Sequence, residues 1–195
     1  MQLHYDFFQT ENTLQPQKGR ILISEPFLMD NYFKRSIVLI TEHSEEGTVG
    51  FVLNKPVSMK VNEIISDFPK LDAIVSLGGP VQTNTLHYIH TLGDIIPGSI
   101  KVLDQIYWGG EFDVIKRLLE SGSLNNSNIR FFLGYSGWQA HQLEDEMADN
   151  AWVVAEISAE EIIAPMNKHF WSKTLNNLGK KYQMWANFPE NPQMN

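Results

Sequence analysis

Residues 129–147 read IRFFLGYSGWQAHQLEDEM, and the fold turns on where the strand that opens this stretch ends. The run from Ile129 to Leu133 is β-branched and aromatic, as a buried strand requires. Gly134 and Gly137 then offer backbone freedom at a tight turn, and Ala140, Leu143 and Met147 recur at helical spacing. The pattern predicts a strand, a glycine corner at 134–137 and a helix over 139–148. In that arrangement Ser136 caps the helix through its hydroxyl. A catalytic reading competes with this one. A nucleophile elbow places small residues two before and two after its serine, because the strained turn presses both positions against neighbouring backbone. Gly134 meets the first demand, but the second position is Trp138, with Gly137 one place early. A strand before, a helix after, and Asp145 or Asp149 followed by His169 would complete the Ser-Asp-His order, so a hydrolase or transferase using Ser136 is the alternative.

Upstream, RILISEP, SIVLIT and TVGFVLN read as three strands, with 36–54 as a hairpin through EHSEEG. VNEIISDFP spaces Val61, Ile64, Ile65 and Phe68 on one side of a short helix closed by Pro69. Residues 73–91 form two strands around a Gly-Gly-Pro corner, IKVLDQIYWGG is extended, and EFDVIKRLLESG is a helix ending at Gly122. AWVVAEI is a further strand. Phe170, Trp171, Thr174, Leu175 and Leu178 mark a final helix before Gly179. Early strands and later interspersed helices predict a mixed α/β or α+β domain over 19–195, preceded by a loose N-terminal segment over 1–18.

A chain of 195 residues builds one sizeable core. No apolar run approaches the roughly 20 residues that span a bilayer, and the N-terminus lacks the pattern of a secretory signal, so a cytoplasmic protein without membrane contact is expected. The absence of cysteine excludes disulfide and thiolate chemistry. A formal net charge of −8 opposes the phosphate attraction behind non-specific nucleic-acid binding, and only 168–181 is locally basic, so direct DNA binding is not expected.

Free N–H groups after a glycine turn can hold phosphate or carboxylate, which makes the corners at Gly134, Ser136 and Gly137, at Gly109 and Gly110, and at Gly78 and Gly79 candidate sites for a small anionic ligand. Trp108 and Trp138 stand beside two of these corners as candidate partner-binding aromatics. His141, Glu144 and Asp145 share a helical face, but that face is opposite the apolar stripe and reads as solvated surface. His87 and His90, three apart in a strand, point to opposite faces. No metal is assigned, and with neither a P-loop nor a dinucleotide fingerprint no cofactor is assigned either.

The blocks GRILISEPFLMDNYFKRSIVLITEHSEEGTVGFVLNKP, LGGPVQTNTLHYIHTLGDIIPGS, IYWGGEF, GYSGWQAHQLEDEM and LGKKYQMWANFPENPQMN, in this order, resemble the AlgH/YqgE family of bacterial proteins over nearly all of 19–195. The matching positions include Asn54, Pro56, Gly78, Gly79, Pro80, Trp108, Gly109, Gly110, Gly134, Gly137, Trp138, Gln142, Leu143 and Glu144. The chain departs at Gln139-Ala140-His141, where the family has glycine, or proline with glycine. The resemblance implies a cytoplasmic α/β protein with a partly barrel-like mixed sheet flanked by helices, and a label of transcriptional regulator without an agreed activity, cofactor or catalytic residue. Together these readings predict a non-enzymatic regulatory or interaction module that takes a protein partner or a small ligand; its oligomeric state is left open.

Overall fold

The computed structural model describes residues 9–165, 167 and 169–190. Two short strands set the architecture: β1 (Ile21–Ser24) and the first half of β2 (Ile37–Ser44) are buried at every position. Strands covered on both faces must be apolar throughout, which is why ILIS and IVLI are continuous runs rather than alternations. Ile21, Ile23, Ile37 and Leu39 pack one way against Trp171, Leu175 and Trp185. Leu22, Val38 and Ile40 pack the other way with Trp138, Leu143 and Trp152.

The hairpin expected over 36–54 forms. β2 pairs antiparallel with β3 (Gly47–Val52), with one bulge between Ile40 and Glu42. Its base is held by Asn54, whose Oδ1 accepts from the Ile37 amide at 2.9 Å and whose Nδ2 donates to the Arg35 carbonyl at 2.8 Å.

The strand containing Gly134 does not stop there. β9 runs unbroken over Ile129–Gln139, and the predicted corner at 134–137 lies inside it. One edge of β9 pairs with β6 (Val81–His90). The other edge is shared end to end, by β5 (Ile74–Leu77), parallel, at Phe131–Leu133 and by β3, antiparallel, at Ser136–Gln139. Gly134 has φ +63°, and opposite it β6 slips by several residues between Val81 and Leu86. The irregularity was visible in the sequence, but the neighbouring strand absorbs it as a bulge instead of β9 turning. The turn falls at Ala140 and His141, and α3 (Gln142–Ala148) starts three residues later than expected, with His141 at φ +66° as its N-cap.

β4 (Pro56–Lys60) pairs with β5, and α1 (Val61–Ile64) is the expected short helix. IKVLDQIYW is a hairpin, β7 (Ile100–Leu103) and β8 (Ile106–Trp108), followed by α2 (Phe112–Glu120), which ends before Gly122. β10 (Trp152–Ala155) lies beside β1. The C-terminal region carries α4 (Ala159–Ile163), α5 (Phe170–Asn176) and α6 (Lys180–Ala186), so the helix predicted as the last is followed by another. The whole is an α+β domain, a ten-stranded, mostly antiparallel sheet with six helices among the described residues. The path β10-β1-β2-β3-β9-β6-β8-β7 leaves the sheet open rather than closed into a barrel.

Of the segment read as loose, residues 1–8 lie outside the described residues, and residues 10–12 are tied down. The Asn12 side chain donates to the Trp152 carbonyl at 2.9 Å and accepts from the Val154 amide at 2.7 Å, and the Glu11 amide donates to the Tyr182 hydroxyl at 3.0 Å.

Candidate functional site

Two of the three glycine corners converge. The loop from β5 to β6 crosses directly over β9, so close that a Cβ on Gly78 would stand 2.3 Å from the Gly134 carbonyl oxygen and one on Gly79 would stand 2.4 Å from the Ser136 nitrogen. These glycines are steric: they let two backbones touch. Ser136 is fully buried in this crossing, and its hydroxyl donates to the Gly78 carbonyl at 3.0 Å, an oxygen that also accepts the Val52 amide at 2.8 Å. It caps no helix. The hydroxyl is closed off from solvent and its hydrogen is directed at a main-chain carbonyl, a group that does not act as the general base of a nucleophilic serine.

Trp138 is also interior, 4% exposed. It stacks on Phe33 and meets Trp152 edge-on, and its indole N–H donates to Glu146 at 2.9 Å. Trp108, in contrast, is half-buried. It lies on the face of the sheet where Phe51, His87 and Tyr135 form a chain of rings, Trp108 to His87 at 6.4 Å and His87 to Tyr135 at 5.8 Å. Desolvation by burial lowers the His87 pKa below its ordinary value.

Gly109 and Gly110 belong to the other face of β6, as the alternation of His87 and His90 requires. There the Tyr88 hydroxyl donates to the Gly110 carbonyl at 2.6 Å, and His90 Nε2 donates to the Gly109 carbonyl at 2.9 Å. His90 Nδ1 accepts the Leu92 amide at 3.1 Å, so the hydrogen-bond network assigns a neutral Nε2–H imidazole. Its pKa is lowered, by desolvation first, against the raising effect of the Gly109 bond. Carboxylates already stand in the first turns of the helices that follow the two corners, Asp113 in α2 and Glu144 and Asp145 in α3. Among the described residues no group of three or more His, Asp or Glu is placed to hold a metal ion.

The open feature of this region lies just past the crossing. Gly137 is exposed, with ordinary strand geometry, and the nearest atom to a Cβ placed there is Tyr135 Cε2 at 3.3 Å. Gly137 lies in a shallow hollow of about 590 Å³ of mixed polarity, where Val49, Val81 and Tyr135 supply the apolar part of the lining and Thr48, Gln139 and the exposed Glu42 and Glu46 the polar part. Cross-strand register puts Glu42, Val49 and Gly137 in one row. Tyr135, Val49 and Val81 were not singled out in the sequence. Their only signal was a glycine at a strand position facing solvent, and that signal is legible only once the register is known.

Fold and site together define an open-sheet α+β domain whose glycine-serine segment is a structural crossing beside a solvent-facing hollow. The chain belongs to the AlgH-like family, whose model matches residues 21–183. A UPF0301 protein of Bacteroides fragilis is 43% identical over 200 residues, covering 100% of both chains. A UPF0301 protein of Chlorobaculum tepidum is 42% identical over 177 residues, covering 91% of this chain and 95% of that protein. Among solved structures, a Corynebacterium diphtheriae protein superimposes with a TM-score of 0.74 at 22% identity, over 93% of this chain and 97% of the other. The AlgH protein of Pseudomonas aeruginosa gives 0.71 at 24% identity, over 92% and 98%. These two likenesses are of fold alone. Among the described residues no helix is long and apolar enough to cross a membrane.

Proposed function

We propose that the chain is a non-enzymatic interaction module of the bacterial cytoplasm whose recognition surface is the hollow over Gly137, and that any influence it has on transcription runs through a protein partner rather than direct contact with DNA. The observation that carries this reading is the pairing of an open hollow of mixed polarity with a buried serine in the neighbouring backbone crossing. Val49, Val81 and Tyr135 offer apolar and aromatic contact, and Glu42 and Glu46 favour a partner segment that carries basic residues. A formal net charge of −8 and an acidic rim both oppose a phosphate backbone at this face.

Affinity capture from a bacterial lysate, with wild type, Tyr135→Ala and Gly137→Gln each shown to be folded, tests the reading. A photo-crosslinker at position 49 identifies what lies in the hollow. The expected result is one crosslinked protein held by wild type and lost from both variants. Equal capture by all three proteins would move the surface elsewhere, and ester turnover abolished by Ser136→Ala would overturn the non-enzymatic assignment.

A further inference from the structure

At the base of the β2–β3 hairpin, on residues distinct from those of the Gly137 hollow, Lys34, Arg35, Asn54, Lys55, His169 and Trp171 line a cleft of about 600 Å³. The sequence shows why the cations cannot avoid one another. Asn54 clamps Arg35 and Ile37, so the residues before β2 and after β3 are forced side by side, and Lys55 Nζ donates to the Lys34 carbonyl at 2.6 Å. Arg35 is held with φ +51°, its guanidinium 4.9 Å from the Trp171 ring centre and one arm on the Phe188 carbonyl at 2.5 Å. Among the described residues its Nε is buried without a hydrogen-bond partner.

Three basic side chains therefore line one cavity in a chain whose net charge is −8. Among the described residues no carboxylate is within 4.0 Å of any of them, and the acid in the lining is Glu190. Desolvation lowers the pKa of both Arg35 and Lys55, and Glu190 acts on both in the raising direction; Lys34 lowers Lys55 further, and Asp30 raises it. Gathering like charges where water is partly excluded costs stability unless an anion completes the site.

We propose that this cleft binds a phosphate-bearing small molecule, with Lys34, Arg35 and Lys55 as its cation set and Glu190 as the internal counter-charge the ligand displaces. A multiply charged, compact anion matches three converging cations, and an arginine fork beside two lysines is a phosphate-type donor set. The volume falls in the range of small-molecule sites, about 300–1,000 Å³.

Calorimetric titration of the intact protein with inorganic pyrophosphate tests this, with citrate as the carboxylate comparison. Saturable one-to-one binding of pyrophosphate is expected. Lys55→Gln weakens it on the order of tenfold or more, as loss of a charge-assisted bond implies, Glu190→Gln tightens it, and the exposed Lys101→Gln leaves it unchanged. Lys34→Gln, whose backbone contacts survive, substitutes if Lys55→Gln loses the fold. Absence of saturation, equal weakening by Lys101→Gln, no tightening by Glu190→Gln, or preference for citrate would each overturn the proposal. The site shares no lining residue with the Gly137 hollow, so failure at one leaves the other standing.

Discussion

Glu146 Oε2 accepts the indole N–H of Trp138 at 2.9 Å and that of Trp152 at 2.8 Å, while Oε1 accepts from Gln142 Nε2 at 3.0 Å. Both rings are interior, 4% and 0% exposed, so neither N–H has water to fall back on. Leaving a buried donor unpaired costs about 1–3 kcal/mol, and Glu146→Ala orphans two. Urea unfolding should therefore show Glu146→Ala less stable than wild type by about 2–6 kcal/mol, with Glu146→Gln recovering part of the loss through its remaining carbonyl oxygen. A loss below about 0.5 kcal/mol would mean that the indoles find other acceptors. Glu146 gave no signal in the sequence. The two indoles stand eight residues before and six after it on two different strands, and only the tertiary fold brings them to one side chain.

At the scale of elements, what the sequence made legible was burial. Continuous apolar runs located β1, the first half of β2 and β10, because strands covered on both faces leave no polar position to confuse the pattern, whereas in β9 only the start is such a run and its far end alternates buried with exposed positions. Glycine was the ambiguous letter: at 134 and 137 the same residue type that closes a turn instead admits a crossing backbone and opens a hollow. α4 was missed although its capping box is written out, with the Glu161 amide on Ser158 Oγ at 3.2 Å and the Ser158 amide on Glu161 Oε2 at 3.3 Å; five residues are too few for an apolar stripe to register. No composition rule could show that a polar lead-in segment would protect a strand edge. Asn12 does so, its amide imitating a neighbouring strand on Trp152 and Val154. Asn12→Ala is expected to cost about 1–3 kcal/mol and to raise amide exchange at Val154. Unchanged protection at Val154 would show that the edge is covered by something other than Asn12.

For the whole molecule, two histidines, His87 and His90, contribute to how stability responds to pH. His90 is fully buried where β6, β8 and the Ser99 loop meet, ring against ring with Tyr107 at 6.1 Å and Ser99 Oγ 3.2 Å from Nε2. Protonating Nδ1 would set a new donor against the Leu92 N–H that it now accepts. The folded pKa values of His90 and His87 both lie below the ordinary 6.5, so between the lowered values and 6.5 the unfolded chain binds more protons than the folded one. Stability therefore rises with pH across that window. It is flat above it with respect to these groups, and falls as pH drops below 6.5 by at most about 1.4 kcal/mol per unit for each histidine. Glu25 works in the opposite sense: burial raises its pKa against the lowering bond from the Phe27 amide, so it favours the fold as pH falls towards its ordinary 4.5. Protonation of other carboxylates also relieves the repulsion of a net charge of −8, so the wild-type profile alone mixes several terms. The difference between wild type and His90→Gln removes what they share, since glutamine keeps a donor for the Gly109 carbonyl but does not titrate. Urea unfolding at pH 7.5 and 5.5 should show wild type losing more stability than His90→Gln over that interval. Parallel losses would assign the acid sensitivity to His87 or to the carboxylates and leave His90 as a hydrogen-bonding side chain without a titration linked to folding.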